Sequence, residues 1–125
     1  MECGPAPNKF GEFIVKNFYD ESVEFFDKLA QGSWKAPALL PLQKSFKQFS
    51  PEQLEVMRQA VIRSLGTGIH QFLFALGEAH DFDQGIAVVV DGVDVVDQSD
   101  GLHSESFGPD GWMAKYSKYP DYFAE

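Results

Sequence analysis

The fold of this chain is decided by its longest stretch of regular apolar spacing, Ser50–His80, which reads SPEQLEVMRQAVIRSLGTGIHQFLFALGEAH. The stretch has a serine in the capping position, Pro51 at the first helical position and Gln53 three residues after the serine. This combination is typical of a helix N-terminus. On a helical wheel the apolar side chains share one arc, namely Leu54, Val61, Leu65, Ile69, Phe72, Leu76 and Ala79. Because this phase continues across two glycines, the spacing predicts one continuous helix to about His80.

The residues before this stretch also have helical spacing. From Lys9 to Gln31 the apolar positions recur on one face, which predicts a long amphipathic helix. A second, shorter helix is predicted between Trp34 and Ser50. Residues 1–8 contain Gly and Pro but no apolar periodicity, so we predict a flexible leader there.

After the long helix the pattern changes to that of β-structure. The β-branched run Ile86–Val90 is followed by Asp91-Gly92 and by a second run, Val93–Val96. An Asp-Gly pair between two such runs predicts a hairpin with a type I′ turn. Alternating side chains over residues 112–117 predict a third strand.

The predicted fold class is therefore α+β. Two to three N-terminal amphipathic helices precede a small antiparallel hairpin, extended to a three-stranded meander that packs on the helices. At 125 residues the chain is expected to hold one hydrophobic core, so residues 9–125 are predicted to form a single α+β domain.

The cysteine count and the hydropathy bear on the compartment. Cys3 is the single cysteine, which excludes a disulfide within the chain. No stretch reaches the ~20 apolar residues that a membrane span requires. Together with the lack of a secretory signal pattern at the N-terminus, these features predict a cytoplasmic protein.

Negative charge is concentrated in the second half of the chain. Residues 1–63 contain eight acidic and eight basic side chains, whereas residues 64–125 contain eleven acidic side chains and only two lysines. The whole net charge of −9 therefore lies in the second half. Such a surface repels phosphates, which argues against nucleic acid or an anionic membrane as partner. It favours a basic protein partner or a cation, and solubility alone remains an alternative explanation.

The first functional hypothesis is a non-enzymatic protein-binding module of the immunity-protein or inhibitor type. Acidic residues would attract a basic partner and raise the rate of association, and an aromatic side chain would anchor it. The residues predicted to bind the partner are Asp94, Asp97, Asp100, Glu105 and Asp110, with Trp112 as the anchor.

The second hypothesis is a small metal-binding protein or a metal-dependent hydrolase. His80 lies at the predicted end of the long helix, and His103 and Glu105 lie in the loop that follows the hairpin. These side chains supply nitrogen and oxygen ligands suited to a divalent transition metal. The sequence has neither a GxSxG nucleophile motif nor a phosphate-binding loop, so we assign no catalytic residue.

Two further predictions concern the long helix. Arg58 lies within its apolar arc, where a charge is costly unless paired, so we predict an ion pair with an acid from another helix or subunit. Val56 and Phe74 lie on the otherwise polar face, and their exposure would indicate self-association as a homo-oligomer.

Overall fold

The structure is a computed structural model that describes residues 4–119. Its first helical run has three parts: α1 (Pro5–Ile14), a π-helical segment (Val15–Tyr19) and α2 (Asp20–Gln31). The run ends where Gly32 adopts a left-handed conformation with φ of 71°, which glycine does at little cost. The long N-terminal helix predicted from apolar spacing is thus present, with one wider turn in its middle.

The first helix begins four residues before the predicted start. Gly4 is the N-cap and Pro5 the first helical residue, a position where proline's missing N–H costs nothing. Ala6 and Pro7 are buried, so residues 5–8 are part of the fold and the leader prediction is wrong for them. The rest of that leader, including Cys3, lies outside the described residues.

A short linker leads into the second helical unit. It contains a 3₁₀ turn (Pro37–Leu39) followed by α3 (Leu40–Phe46). The buried side chain of Gln43 holds the linker, because its Oε1 accepts from the backbone N–H of Trp34 at 2.9 Å and its Nε2 donates to the Trp34 carbonyl at 2.9 Å. Phe46 then packs in a small apolar cluster with Phe26 and Leu29 of α2.

The long helix α4 (Pro51–Asp81) follows the sequence prediction closely. Its capping box is formed: Ser50 Oγ accepts from Gln53 N at 3.1 Å and Gln53 Oε1 accepts from Ser50 N at 2.8 Å. The buried positions are Ile62, Gly66, Ile69, Leu73, Leu76 and Ala79. Phe72, which the wheel placed in the apolar arc, is 53% exposed, because the buried face is centred on Ile69 and Leu73 instead.

Arg58 forms the predicted ion pair within α4's apolar face. Its Nε donates to Asp27 Oδ1 at 2.8 Å and its Nη2 to Asp27 Oδ2 at 3.3 Å. This two-point contact connects α4 to α2. The guanidinium also lies over the ring of Tyr119, 5.3 Å from the ring centre.

The hairpin is present but short. It consists of β1 (Val89–Val90) and β2 (Val93–Asp94), paired antiparallel with Val89 opposite Asp94. Asp91 and Gly92 both have positive φ, 51° and 80°, as a type I′ turn requires. The described chain is mostly helical with this one two-stranded sheet, which agrees with the α+β class in its coarse form.

The third strand predicted over residues 112–117 is wrong, because this segment contains helix α5 (Trp112–Tyr116). Trp112 and Met113 are both buried and Tyr116 is half-buried. These positions have the spacing of one helix face rather than of a strand. The start of α5 is held to the preceding loop, since Trp112 N donates to the Glu105 carbonyl at 2.9 Å and Met113 N to the Ser106 carbonyl at 3.1 Å.

The C-terminal segment after α5 is tied to α2. The buried carboxylate of Asp20 accepts from Ser117 Oγ at 2.7 Å and from Lys118 N at 3.0 Å. Lys118 Nζ forms an ion pair with Glu24 Oε1 at 2.9 Å.

One main core joins these elements and fixes where the hairpin lies. It contains Val15, Tyr19, Val23, Ile62, Ile69, Leu73, Leu76, Val95, Leu102, Trp112 and Met113. Because Val95 and Leu102 are among them, the segment after the hairpin packs beside the C-terminal half of α4. Within residues 4–119, no helix combines the length and the apolar character needed to cross a membrane.

Candidate functional site

A cleft of about 390 Å³ separates the C-terminal end of α4 from the segment that follows the hairpin. It is lined by Phe74, Gly77, Glu78, His80, Asp81, Val96, Asp97, Ser99, Asp100, Gly101, Leu102 and His103. Four of these residues are acidic and none is Lys or Arg. The cleft therefore collects acidic side chains from both walls.

His80 lies in the last turn of α4 and faces carboxylates on both sides of its ring. Its Nε2 lies 2.6 Å from Asp97 Oδ1 and its Nδ1 lies 3.2 Å from Asp81 Oδ1. Hydrogen bonds to Asp81 and Asp97 raise the pKa of His80 above its ordinary value. A protonated imidazole satisfies both carboxylates, because each ring nitrogen then carries a donor.

A tight turn at the end of β2 brings Asp94, the last residue of that strand, and Asp97 to the side of the chain that faces His80. Asp97 N donates to the Asp94 carbonyl at 3.1 Å, which closes the turn. Asp94 Oδ1 accepts from Val96 N at 2.9 Å, which fixes the Asp94 carboxylate. Residues three apart would lie on opposite faces of a strand, but here the turn places Asp94 and Asp97 beside the same imidazole.

The structure assembles one group of three side chains with metal-ligating atoms. One nitrogen of His80 and one carboxylate oxygen each of Asp94 and Asp97 all lie within 4.8 Å of one another. Among residues 4–119 no other set of three His, Cys, Asp or Glu side chains comes this close.

His103 takes part in a different contact. Its ring lies edge-on to the rings of His70 and Phe74, at centroid distances of 5.4 and 5.3 Å. Its carbonyl accepts from Nδ1 of His70 at 3.0 Å. These contacts hold the 3₁₀ turn Leu102–Ser104 against α4, so His103 positions one wall of the cleft.

The metal site predicted from His80, His103 and Glu105 is not assembled. Glu105 Oε1 accepts from Ser99 Oγ at 3.0 Å and lines a separate depression of about 300 Å³. These three side chains are not the group within ligand distance. The imidazole of His80 is shared by the predicted and the observed sets, and the two carboxylates of the turn replace the other two members.

The residues predicted to bind a partner fall into three places. Asp97 and Asp100 line the cleft and Asp94 lies beside it. Glu105 and Asp110 share the second depression. Trp112 is only 1% exposed and packs edge-on against Phe10 at 6.4 Å, so in this fold it is a core residue and not an exposed anchor.

Two acidic residues of the cleft are not among those predicted to bind a partner. Glu78 and Asp81 come from the end of α4 and face the acidic residues of the hairpin segment across the cleft. Phe74, which is 45% exposed, supplies an aromatic wall. Phe74 and Glu78 are four positions apart and Glu78 and Asp81 three, which is the signal that the three residues share one helix face. This spacing does not reveal which segment packs opposite that face.

The two apolar residues predicted to mark self-association are both exposed but lie in separate places. Val56 is 66% exposed and lines a shallow apolar depression with Phe49 and Met57, whereas Phe74 lines the acidic cleft. Homo-oligomerisation stays a prediction.

Comparison of the chain with protein-family models, with curated proteins and with solved structures finds no match.

Proposed function

We propose that this protein is a non-enzymatic protein-binding module whose acidic cleft receives a basic side chain of a partner. One observation supports the proposal above the others: both walls of the cleft present carboxylates, and no Lys or Arg among residues 4–119 lines it. A concave surface of one charge sign focuses the electrostatic potential and attracts the opposite charge. The half of the chain that contributes most of the cleft also has the whole net charge of −9.

The composition of the cleft favours arginine over lysine as the side chain that enters it. An arginine guanidinium donates two parallel hydrogen bonds to a carboxylate and stacks on an aromatic face. The cleft offers carboxylates at Asp81, Asp97 and Asp100 and the exposed ring of Phe74. Phe74 therefore takes the role that the sequence had suggested for Trp112.

The test compares three proteins as baits, namely the wild type and two double variants. Asp81→Asn/Asp100→Asn removes two exposed acids of the cleft, and Glu21→Gln/Glu52→Gln removes two exposed acids from the first half of the chain. The two variants therefore have the same net charge. Each protein is used to capture partners from a lysate of the native host at low and at high salt, and captured proteins are purified for titration.

We expect a basic protein to bind the wild type and the glutamine variant at low salt and to be released at high salt. The asparagine variant should bind that purified partner at least about tenfold more weakly, because the partner's arginine loses hydrogen bonds to charged carboxylates. Equal affinity of the two variants for every captured protein would contradict the proposal and leave solubility as the role of the acidic half.

A further inference from the structure

The turn after β2 and the end of α4 bring an imidazole and two carboxylates to one edge of the cleft. We propose that His80, Asp94 and Asp97 form a binding site for a divalent transition-metal ion of the Zn²⁺ or Mn²⁺ type. The inference goes beyond partner binding and does not rest on it, since the site is defined by three side chains of this chain alone.

The distances fit such an ion after a small adjustment. The three ligand atoms lie within 4.8 Å of one another, and His80 Nε2 and Asp97 Oδ1 are 2.6 Å apart. A metal with bonds of about 2.0–2.2 Å places its ligand atoms roughly 3–4 Å apart. The side chain of Asp97 is 60% exposed, so its carboxylate has the freedom to move away from Nε2 by roughly 0.5–1 Å, which brings the pair to ligand spacing.

The surroundings of the imidazole support the proposal independently of the three ligands. Asp81, which is not one of the three, lies 3.2 Å from Nδ1 of His80. A metal-binding histidine almost always donates its second ring N–H to a carboxylate, carbonyl or water, which fixes the ring and the tautomer. Asp81 therefore orients His80 so that Nε2 faces the two carboxylates of the turn.

The backbone fixes the positions of Asp94 and Asp97 before any ion binds, and a hydrogen bond also fixes the carboxylate of Asp94. Asp94 is fixed by its pairing with Val89 in the hairpin and by the hydrogen bond from Val96 N. Val95, between the two acidic residues, is fully buried in the core and its N–H donates to the Val88 carbonyl at 3.0 Å. A preformed site of this kind loses little conformational entropy on binding.

The ligand set determines the class of ion. One imidazole nitrogen with two carboxylate oxygens suits Zn²⁺ or Mn²⁺, and water would complete the coordination. Ca²⁺ and Mg²⁺ prefer oxygen ligands alone. Binding replaces a proton on Nε2 by the ion, while the hydrogen bond from Nδ1 to Asp81 is retained.

The test is calorimetric titration of the metal-free full chain with Zn²⁺, Mn²⁺ and Ca²⁺, each alone. We expect one equivalent of Zn²⁺ to bind, Mn²⁺ to bind more weakly and Ca²⁺ to bind weakest of the three. His80→Gln, Asp94→Asn and Asp97→Asn should each weaken Zn²⁺ binding by about tenfold or more. Asp81→Asn should retain the one-to-one stoichiometry and weaken affinity by roughly tenfold.

Asp100→Asn is the matched control, because it removes one exposed acid of the same cleft that is not in the group of three. It should change Zn²⁺ affinity by about twofold or less, the effect of one screened charge. The far-ultraviolet circular dichroism of each variant checks that it is folded. Ca²⁺ binding as tight as Zn²⁺, no saturable Zn²⁺ binding, or equal losses for Asp97→Asn and Asp100→Asn would overturn the proposal. Because no partner is present, these outcomes are separate from those of the capture experiment.

Discussion

At the scale of single residues, Gly11 of α1 packs directly against the indole of Trp112. A Cβ atom added at Gly11 would collide with several atoms of that indole. Trp112 is 1% exposed and packs in the main core, so moving its ring would disturb the neighbouring core side chains. We therefore expect Gly11→Ala to lower the free energy of unfolding by about 1–3 kcal/mol, although alanine is by itself the better helix former by roughly 1 kcal/mol. Urea unfolding followed by circular dichroism measures the change.

Gly68 in α4 provides the matched control, since a Cβ atom there meets no other atom within 4 Å. Gly68→Ala should raise the free energy of unfolding by about 0.5–1 kcal/mol through helix propensity alone. The packing argument is wrong if Gly11→Ala is as stabilising as Gly68→Ala. In the sequence both positions are simply glycines in helical patterns, because the neighbour that distinguishes them lies about a hundred positions away.

At the scale of elements, those with strong local signals were predictable and those without were not. Helix α4 has its cap, its first proline and its apolar phase within one stretch, so its start and its end were both predicted to within a residue or two. Residues 112–117 have no such signal, and alternation over so few positions is compatible with either a strand or a helix. Contacts with the loop at Glu105 and Ser106 select the helix.

The tie between the C-terminal segment and α2 predicts a pH dependence. The hydrogen bond from Lys118 holds the pKa of Glu24 below its ordinary value of 4.5. A lowered folded-state pKa contributes stability that is present above pH 4.5 and is lost as the pH falls through the folded value. Glu24→Gln should therefore be less stable than wild type at neutral pH, and this difference should shrink and disappear as the pH falls below 4.5. Urea unfolding across the pH range measures it.

A double-mutant comparison isolates this ion pair. In a Lys118→Gln background, Glu24→Gln should produce a much smaller pH-dependent difference, because the group that lowers the pKa of Glu24 most is absent while Lys28 and Tyr119 still lower it. A difference of the same size in both backgrounds would show that Glu24 acts through some other contact.

At the scale of the whole molecule, the candidate site depends on how distant segments pack, which is why the sequence identified only part of it. The charge asymmetry was visible in the sequence, and His80 was one of the predicted metal ligands. Asp91, Asp94, Asp97 and Asp100 recur every three residues, a period that a regular strand does not explain. The turn from Asp94 to Asp97 explains it, but only the burial of Val95 and Leu102 against α4 brings that turn to His80. Ligand type and position in the predicted loop suggested Glu105 as a companion of His80, whereas packing brings Asp94 and Asp97 to it.

The same packing leaves several like charges close together, which predicts how stability responds to salt. Glu78, Asp81, Asp97 and Asp100 line one cleft, with His80 as the cationic group between them once it is protonated. Repulsion among such charges opposes the compact state and is screened by added salt. Raising NaCl from about 0.05 M to about 0.5 M should therefore increase the free energy of unfolding of the metal-free protein, because the Debye length then falls from roughly 14 Å to roughly 4 Å.

The two charge-matched variants separate the cleft from the net charge. Asp81→Asn/Asp100→Asn removes half of the cleft's acidic groups, so its stability should rise less with salt than that of the wild type. Glu21→Gln/Glu52→Gln has the same net charge but retains all four, so its response should equal that of the wild type. Equal, reduced responses of both variants would mean that the total charge of −9, and not its concentration in the cleft, opposes folding. Long-range repulsion among all acidic side chains would then oppose folding. Repulsion among the four carboxylates of the cleft would not be stronger than elsewhere, so a cation bound there would bring no extra stabilisation.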